Sequence, residues 1–252
     1  MITIALTTIC FNAEKTIERC VDSVLHQHDA PDRYIIVDGR STDATLEIVQ
    51  KPAYKNTIDH LISESDEGIS DAFNKAWRAS ECDYVATLNA DDWVAPDYIA
   101  KVRIAIETAQ PDIIISHLSF ENAHSKRLIK PRVFNSLPPK NWFHPAINHP
   151  GMVIRRSLLE KAGGYQLDYA VAMDVDLYLR LLAFSPRVHV IEAPLVHQWD
   201  GGVSQSHWHL ALSEMRRIEI AHGRTRLGAW LSYLFRTSKK ILKLSLPFEV
   251  PR

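Results

Sequence analysis

Cysteine is scarce in this 252-residue chain: Cys10, Cys20 and Cys82 form an odd, widely spaced set. No two of them make a CxxC pair, so neither a zinc knuckle nor a disulfide framework is encoded, and a reducing cytoplasm is the expected compartment. Nine glycines and 13 prolines are too few for a collagen-like or low-complexity chain. Long hydrophobic runs are missing as well. The longest, "LGAWLSYLF", falls far short of the roughly 20 residues that span a bilayer. The opening "MITIALTTICFN" lacks a basic flank and a small-residue cleavage site, so it is expected to be a first strand and not a secretory signal. No charge of either sign is in excess, the net being −1, which leaves no global nucleic-acid footprint. Three familiar motifs are absent too. Without GxGxxG, GxxxxGK[ST] or GxSxG, the chain is not expected to be a dinucleotide dehydrogenase, a P-loop nucleotidase or a serine hydrolase.

What is present is ordinary globular material, 46% hydrophobic and 23% charged, enough for one large domain or a domain with an appendage. Its charge is unevenly placed: Arg216 to Arg252 hold nine Lys or Arg against two Glu, leaving 20 against 28 acids elsewhere. "ITIALTT", "RYIIVD", "IDHLIS", "DYVATLN" and "DIIIS" read as strands. Between them, Glu14–His28, "GRSTDATLEIVQK", "DEGISDAFNKAWRAS" and "APDYIAKVRIAIETA" carry apolar residues at helical spacing. This alternation predicts an α/β fold with a mostly parallel sheet flanked by helices. From about Ser119 to Gly151 the pattern fades into a Pro-, Asn- and His-rich loop. "SLLEKAGGYQ" and "DVDLYLRLLAF" are helices, "RVHVIEAPLVHQW" a late strand or pair of strands, and from Trp208 the chain is helical. A domain over residues 1–207 and a basic amphipathic tail over 208–252 are expected.

Ligands of such sheets bind at the carboxyl ends of the strands. Here those ends are Thr8–Asn12, Asp38, Ser63–Asp66 and Asn89–Asp92, and three of the four carry carboxylates. Asp91 and Asp92 stand side by side where an apolar strand stops. Either a divalent cation rewards that placement or the pair is a solvated turn capping the helix after Pro96.

"TTICFNAEKTIERCVDSVLHQ", "IIVDGRSTDAT", "SESDEGISDAFNKAW", "YVATLNADDW", "HPGMVIRRSLLEKAGGYQLDY" and "DVDLYLRLL" occur in that order. Together they resemble a family 2 glycosyltransferase of the GT-A (Rossmann-like) fold, of the bacterial exopolysaccharide or colanic acid type, over roughly residues 1 to 206. The resemblance implies a nucleotide-diphosphate sugar donor and Mn²⁺ or Mg²⁺ bridging its phosphates. Asp92 would be the main metal ligand and Asp91 would face the ribose or the metal, with Asn89 standing where a strict DxD has its first Asp. It implies Asp38 on the base or ribose, an Asx-turn into the next helix being compatible with that role. Phe11 and Asn12 would lie beside the base, and Asp66, Asp71, Asn74 and Lys75 on the nucleotide side. Asp174 is implied as the catalytic base that takes the proton of an acceptor hydroxyl, Met173 replacing the usual Glu before it. Attack opposite the leaving diphosphate would invert the anomeric centre. His197 is implied as a late metal ligand and His149 as a residue near the sugar and acceptor.

The expected activity is therefore inverting transfer of a sugar to a hydroxyl of a glycan or lipid-linked acceptor in bacterial surface polysaccharide synthesis. The alternatives are another nucleotide-sugar or nucleotidyl enzyme on this fold, or an inactive nucleotide-sugar-binding subunit. The tail joins Arg and Lys to Trp230, Leu231, Leu234 and Phe235. It suits an anionic membrane surface, packing back on the domain, or a dimer contact. Residence in the cytoplasm or on the inner face of its membrane follows.

Overall fold

The computed structural model describes residues 2–122, 125–133, 147–199 and 206–245. In chain order the elements are strand β1 (Ile4–Cys10), helix α1 (Ile17–Leu25), β2 (Arg33–Asp38), α2 (Thr45–Val49), β3 (His60–Ser63), α3 (Ile69–Ala79), β4 (Tyr84–Asn89) and β5 (Asp92–Val94). After them come α4 (Tyr98–Ala109), β6 (Ile113–Glu121), β7 (Lys126–Ile129), β8 (Val153–Arg155), α5 (Arg156–Ala162), α6 (Met173–Leu182), β9 (Val188–Trp199), α7 (Trp208–Ala221) and α8 (Arg226–Ser245).

The strands form one sheet in the order β3-β2-β1-β4-β8-β6-β9-β5, with β7 paired to β6. The first four run parallel, and β8 is antiparallel to both β4 and β6. The expected mostly parallel architecture is present. Three short pieces differ from the sequence reading. β7 lies in the region expected to be irregular. β8 has three residues, too few to reveal a period, yet sits in the middle of the sheet. β5 begins at Asp92 itself, so Asp91–Asp92 turns from one strand straight into another.

Strand alternation explains the two-sided core. Ile4, Leu6, Tyr34, Ile36, Tyr84, Ala86 and Leu88 face α1, α2 and α4. Ile35, Val37, Val85, Ile113, Ile115 and Ile154 face α3, α5, α6 and α7. Met215 and Ile218 of α7 belong to that second core. α7, the first helix of the expected 208–252 tail, thus contributes to that core, and α8 rests on α7. Residues 246–252 of the expected tail, and 134–146 of the expected acceptor-side loop, lie outside the described residues.

Candidate functional site

Register brings the four strand ends together, three of them acidic. Cys10 pairs with Asp38, Asp38 with Ser63, and Ile9 with Asn89. β1, β2, β3 and β4 thus stop along one edge, and the loops that follow meet above it. Phe11 projects there with 63% of its surface exposed, an unusual state for a large aromatic ring. Gly39 closes the approach between loops. A Cβ at that position would overlap Asp66 Oδ2 and press on the Phe11 ring at 3.4 Å. Phe11, Gly39 and Asp66 therefore line one shallow cleft, and Asp66 Oδ1 is braced by the Gly68 N–H (2.9 Å).

Several expected contacts of the nucleotide are occupied by the protein. Asp38 is fully buried. It accepts from the Ser41 N–H (3.1 Å), the Ser41 hydroxyl and the Ser63 hydroxyl (2.7 Å). The structure gives it the Asx-turn role, tying the end of β2 to that of β3. Asn12, at φ 49°, accepts the Thr42 N–H on Oδ1 (2.9 Å) and so latches the first loop to the second. Lys75 donates to the Ser65 carbonyl (2.7 Å) and pairs with Glu64 and Asp71 (3.0 and 3.1 Å). Asp71 in turn accepts the Glu67 N–H (3.1 Å). Lys75 and Asp71 shape the Ser63–Asp66 loop from beneath.

Asn74, expected on the nucleotide side, and His149, expected near the sugar and acceptor, lie inside the protein. Both are buried and both are spent on Tyr165. Asn74 accepts the Tyr165 N–H and donates to its carbonyl, each at 2.8 Å. His149 Nε2 lies 2.9 Å from the Tyr165 hydroxyl, with its ring edge against Phe73. Burial holds His149 down to about 4, so the imidazole is neutral. The two side chains build a socket for Tyr165 and do not line the open cleft.

The acidic pair is asymmetric. Asp91 is half-buried, whereas Asp92 is 0% exposed. Asn89 Nδ2 donates to Asp92 Oδ2 (2.9 Å), while Asp92 Oδ1 has no partner among the described residues. Burial raises both carboxyls above the usual carboxylate range, and the Asp91 charge pushes Asp92 further. A second carboxylate at position 89 would worsen that repulsion; the amide relieves it. Arg19 donates to the Asp91 carbonyl (3.1 Å) and stacks on Trp93, its guanidinium carbon 3.7 Å from the ring centre.

His197 does not join this pair. β5 and β9 place Trp93 opposite His197 and Asp92 opposite Gln198, so alternation turns the His197 and Asp92 side chains to opposite faces. His197 instead stacks on Trp93 (5.2 Å, 8°) and holds Glu121 through Nδ1 (2.7 Å). Among the described residues no three His, Cys, Asp or Glu side chains gather as a metal site.

Asp174 sits in the first turn of α6, half-buried. Burial raises its carboxyl from 3.8 to about 6, and the charge of Glu214 adds to the effect. A carboxyl that titrates near neutrality is suited to taking up a proton. Asp176 faces away and is ion-paired with Arg180 (2.8 Å) and His222 (3.5 Å).

Comparison with known proteins shows the family. The model of the glycosyl transferase family 2 matches residues 6–163. A chondroitin synthase of Escherichia coli is 27% identical over 71% of the chain, which spans 26% of that protein. The O-antigen biosynthesis protein RfbC of Myxococcus xanthus is 27% identical over 81% of the chain and 16% of that protein. The chain thus spans about a quarter or less of the length of these two relatives. Among solved structures, S. aureus TarS 1-349 in complex with UDP-GlcNAc superposes with a TM-score of 0.68 at 17% identity, over 90% of this chain and 69% of that one. The mannosyltransferase PcManGT of Pyrobaculum calidifontis, in complex with GDP-Man and Mn2+, gives 0.62 at 16% identity over 97% and 76%. At those identities the structural likeness concerns the fold.

Proposed function

The chain belongs to glycosyl transferase family 2, and from that premise we infer that it moves a sugar from a nucleotide-diphosphate donor to a hydroxyl of a glycan or lipid-linked acceptor. Surface polysaccharide synthesis is the setting that the relatives suggest. Two observations support the reading: Phe11, Gly39 and Asp66 crowd together at the strand ends, and the Asp174 carboxyl is held near neutrality. Phe11 offers an apolar face to a base, and Asp66 an acceptor to ribose hydroxyls.

Asp91 and Asp92 fit a hard divalent cation. One buried oxygen lacks a partner, and Mg²⁺ or Mn²⁺ bridging phosphates needs only one or two carboxylates. Asp91, half-buried, and Asp92, whose Oδ1 has no partner among the described residues, would hold it. When bound, such a cation neutralises the charge that grows on the leaving diphosphate. The remaining work falls to side chains. Asp174 accepts the proton of the acceptor hydroxyl as that oxygen bonds to the anomeric carbon, and the sugar–phosphate bond breaks on the opposite side. That geometry inverts the centre. The decisive assay incubates the protein with nucleotide-sugar donors and Mn²⁺ and identifies the product. Nucleoside diphosphate is expected. Release of pyrophosphate would point to a nucleotidyl enzyme, and no product with any donor to an inactive binding subunit.

The same reading extends to a bilayer. Among the described residues no helix is long and apolar enough to cross a membrane. However, α8 carries Leu227, Trp230, Leu231, Leu234 and Leu242 along one exposed stripe, while Ala229 and Ser232 on its other side are buried. Arg226, Lys239 and Lys240 lie on the same helix. An apolar stripe with basic neighbours matches an anionic interface, each cation near the surface contributing about 1 kcal/mol. The protein is expected to sediment with phosphatidylglycerol vesicles and not with phosphatidylcholine vesicles. Leu231→Glu with Leu234→Glu is expected to weaken binding at least about tenfold, since each buried Leu is worth about 1.5–3 kcal/mol. Equal sedimentation of the double variant would refute the surface. A concentration-dependent dimer that the variant abolishes would reassign it.

A further inference from the structure

We propose that Glu214 of α7 is a positioning residue for the base. Its buried carboxylate gathers three successive backbone N–H groups and fixes the turn from which Asp174 projects. The proposal rests on the reading of Asp174 as the base. The geometry is specific. Glu214 Oε1 accepts from Ala170 (2.8 Å), and Oε2 from Val171 (2.9 Å) and Ala172 (2.8 Å). Ala172 is the N-cap of α6 and has no side chain able to cap it. Toward the Ala172 N–H, Glu214 therefore does from another helix what the N3 Glu of a capping box does locally.

A carboxylate removed from water is costly unless strong donors meet it, and three N–H groups converging on one carboxylate do so. The same segment is held from other directions. Ser70 donates to the Tyr169 carbonyl (2.9 Å), Arg217 of α7 to the Asp168 carbonyl (3.3 Å), and Asn74 binds both backbone groups of Tyr165. Residues 165–172 thus have no helix or strand of their own, yet are clamped between α3 and α7. Such bracing matters for a base, because a displacement of about 1 Å can cost about 10²-fold in rate.

The clamp also carries charge. The groups facing Asp174 are Glu214 from α7 and Tyr165 from the preceding loop. Asp176 on its own helix is neutralised by Arg180 and His222. Glu214 is thus the anion that discourages Asp174 from ionising, and removing it must move the base toward lower pH.

The test is Glu214→Gln, assayed for kcat, donor KM and the pH dependence of kcat alongside thermal stability. Expected are a fall in kcat of about 10- to 100-fold, a donor KM within about twofold, and an acid limb displaced to lower pH. An unchanged kcat overturns the proposal. So does a loss in which kcat and KM fall together while the acid limb stays in place. Should that variant not fold, Glu214→Asp carries the test alone. A drop in kcat of about threefold or more at unchanged KM supports the proposal, and wild-type kcat or a parallel change in both overturns it. Asp174→Asn separates the two levels. If it retains wild-type transfer, the base assignment itself fails. If it is inactive while Glu214→Gln is unimpaired, only the positioning role fails.

Discussion

Asp174→Asn is expected to lower the transfer rate by about 10²- to 10⁴-fold, the range a positioned base contributes, and at neutral pH to make the protein more stable. The second half follows from linkage. Burial, assisted by Glu214, raises the Asp174 carboxyl from 3.8 to about 6 in the folded state. Between those values the folded protein holds a proton that the unfolded chain has released, so native stability falls as pH rises through this window and then levels off. At about 1.36 kcal/mol per unit, the ionised carboxyl costs the native state at most about 3 kcal/mol at pH 7. The amide carries no such cost. Melting curves of the two proteins should coincide near pH 4 and separate progressively to pH 7, with the variant higher. The wild-type kcat should rise with pH through about 6, where the base becomes competent. An Asp174→Asn protein that keeps its rate, or melts lower than wild type at pH 7, contradicts both the role and the electrostatics behind it.

Asp91→Asn is expected to reduce transfer by about 10²- to 10³-fold, comparable to losing one electrostatic stabiliser of a transition state. It should also erase the stabilisation given by nucleoside diphosphate with Mn²⁺. A ligand at about 100 times its Kd adds about 2.7 kcal/mol to native stability, several degrees in Tm for a chain of this size. Wild type should show that shift, lose it when the cation is chelated, and show none in the variant. Asp92→Asn has a second signature. Burial and the neighbouring Asp91 both oppose its ionisation, so the variant without ligand should melt higher than wild type at neutral pH while its ligand-induced shift shrinks. A full cation-dependent shift in both variants would move the cation site elsewhere.

Much of this was legible in the sequence because it is periodic or local. The alternation of strands and helices gives the parallel half-sheet, and the carboxyl ends of its strands give Phe11, Asp66 and Asp91 without any coordinates. What was not legible depends on register and on distant partners. His197 was expected beside Asp92, but the pairing of β5 with β9 decides the face, and no linear pattern encodes that pairing. Asn74 and His149 were implied as ligand-side residues by the family resemblance, and no linear pattern foretells their contacts with Tyr165. Asp38 was read as a base or ribose contact compatible with an Asx-turn; the turn to Ser41 is local, whereas the bond from Ser63, 25 residues away, depends on strand register. Glu214 gave no signal. In "SEMRRIEIAHG" it resembles any solvated acid on a helix, and its importance comes from meeting a loop that precedes it by 42 residues.

That separation has a temporal side. On the ribosome the chain elongates at about 5–20 residues per second, so the turn before Asp174 emerges about 2 to 8 seconds ahead of the side chain that secures it. During this interval the first four strands can already pair and form the cleft, while the proton acceptor is not yet held in place. On the proposed reading, the donor side is assembled before the base is braced. The bracing contact waits for Glu214, and the amphipathic helix α8 follows it directly in the chain.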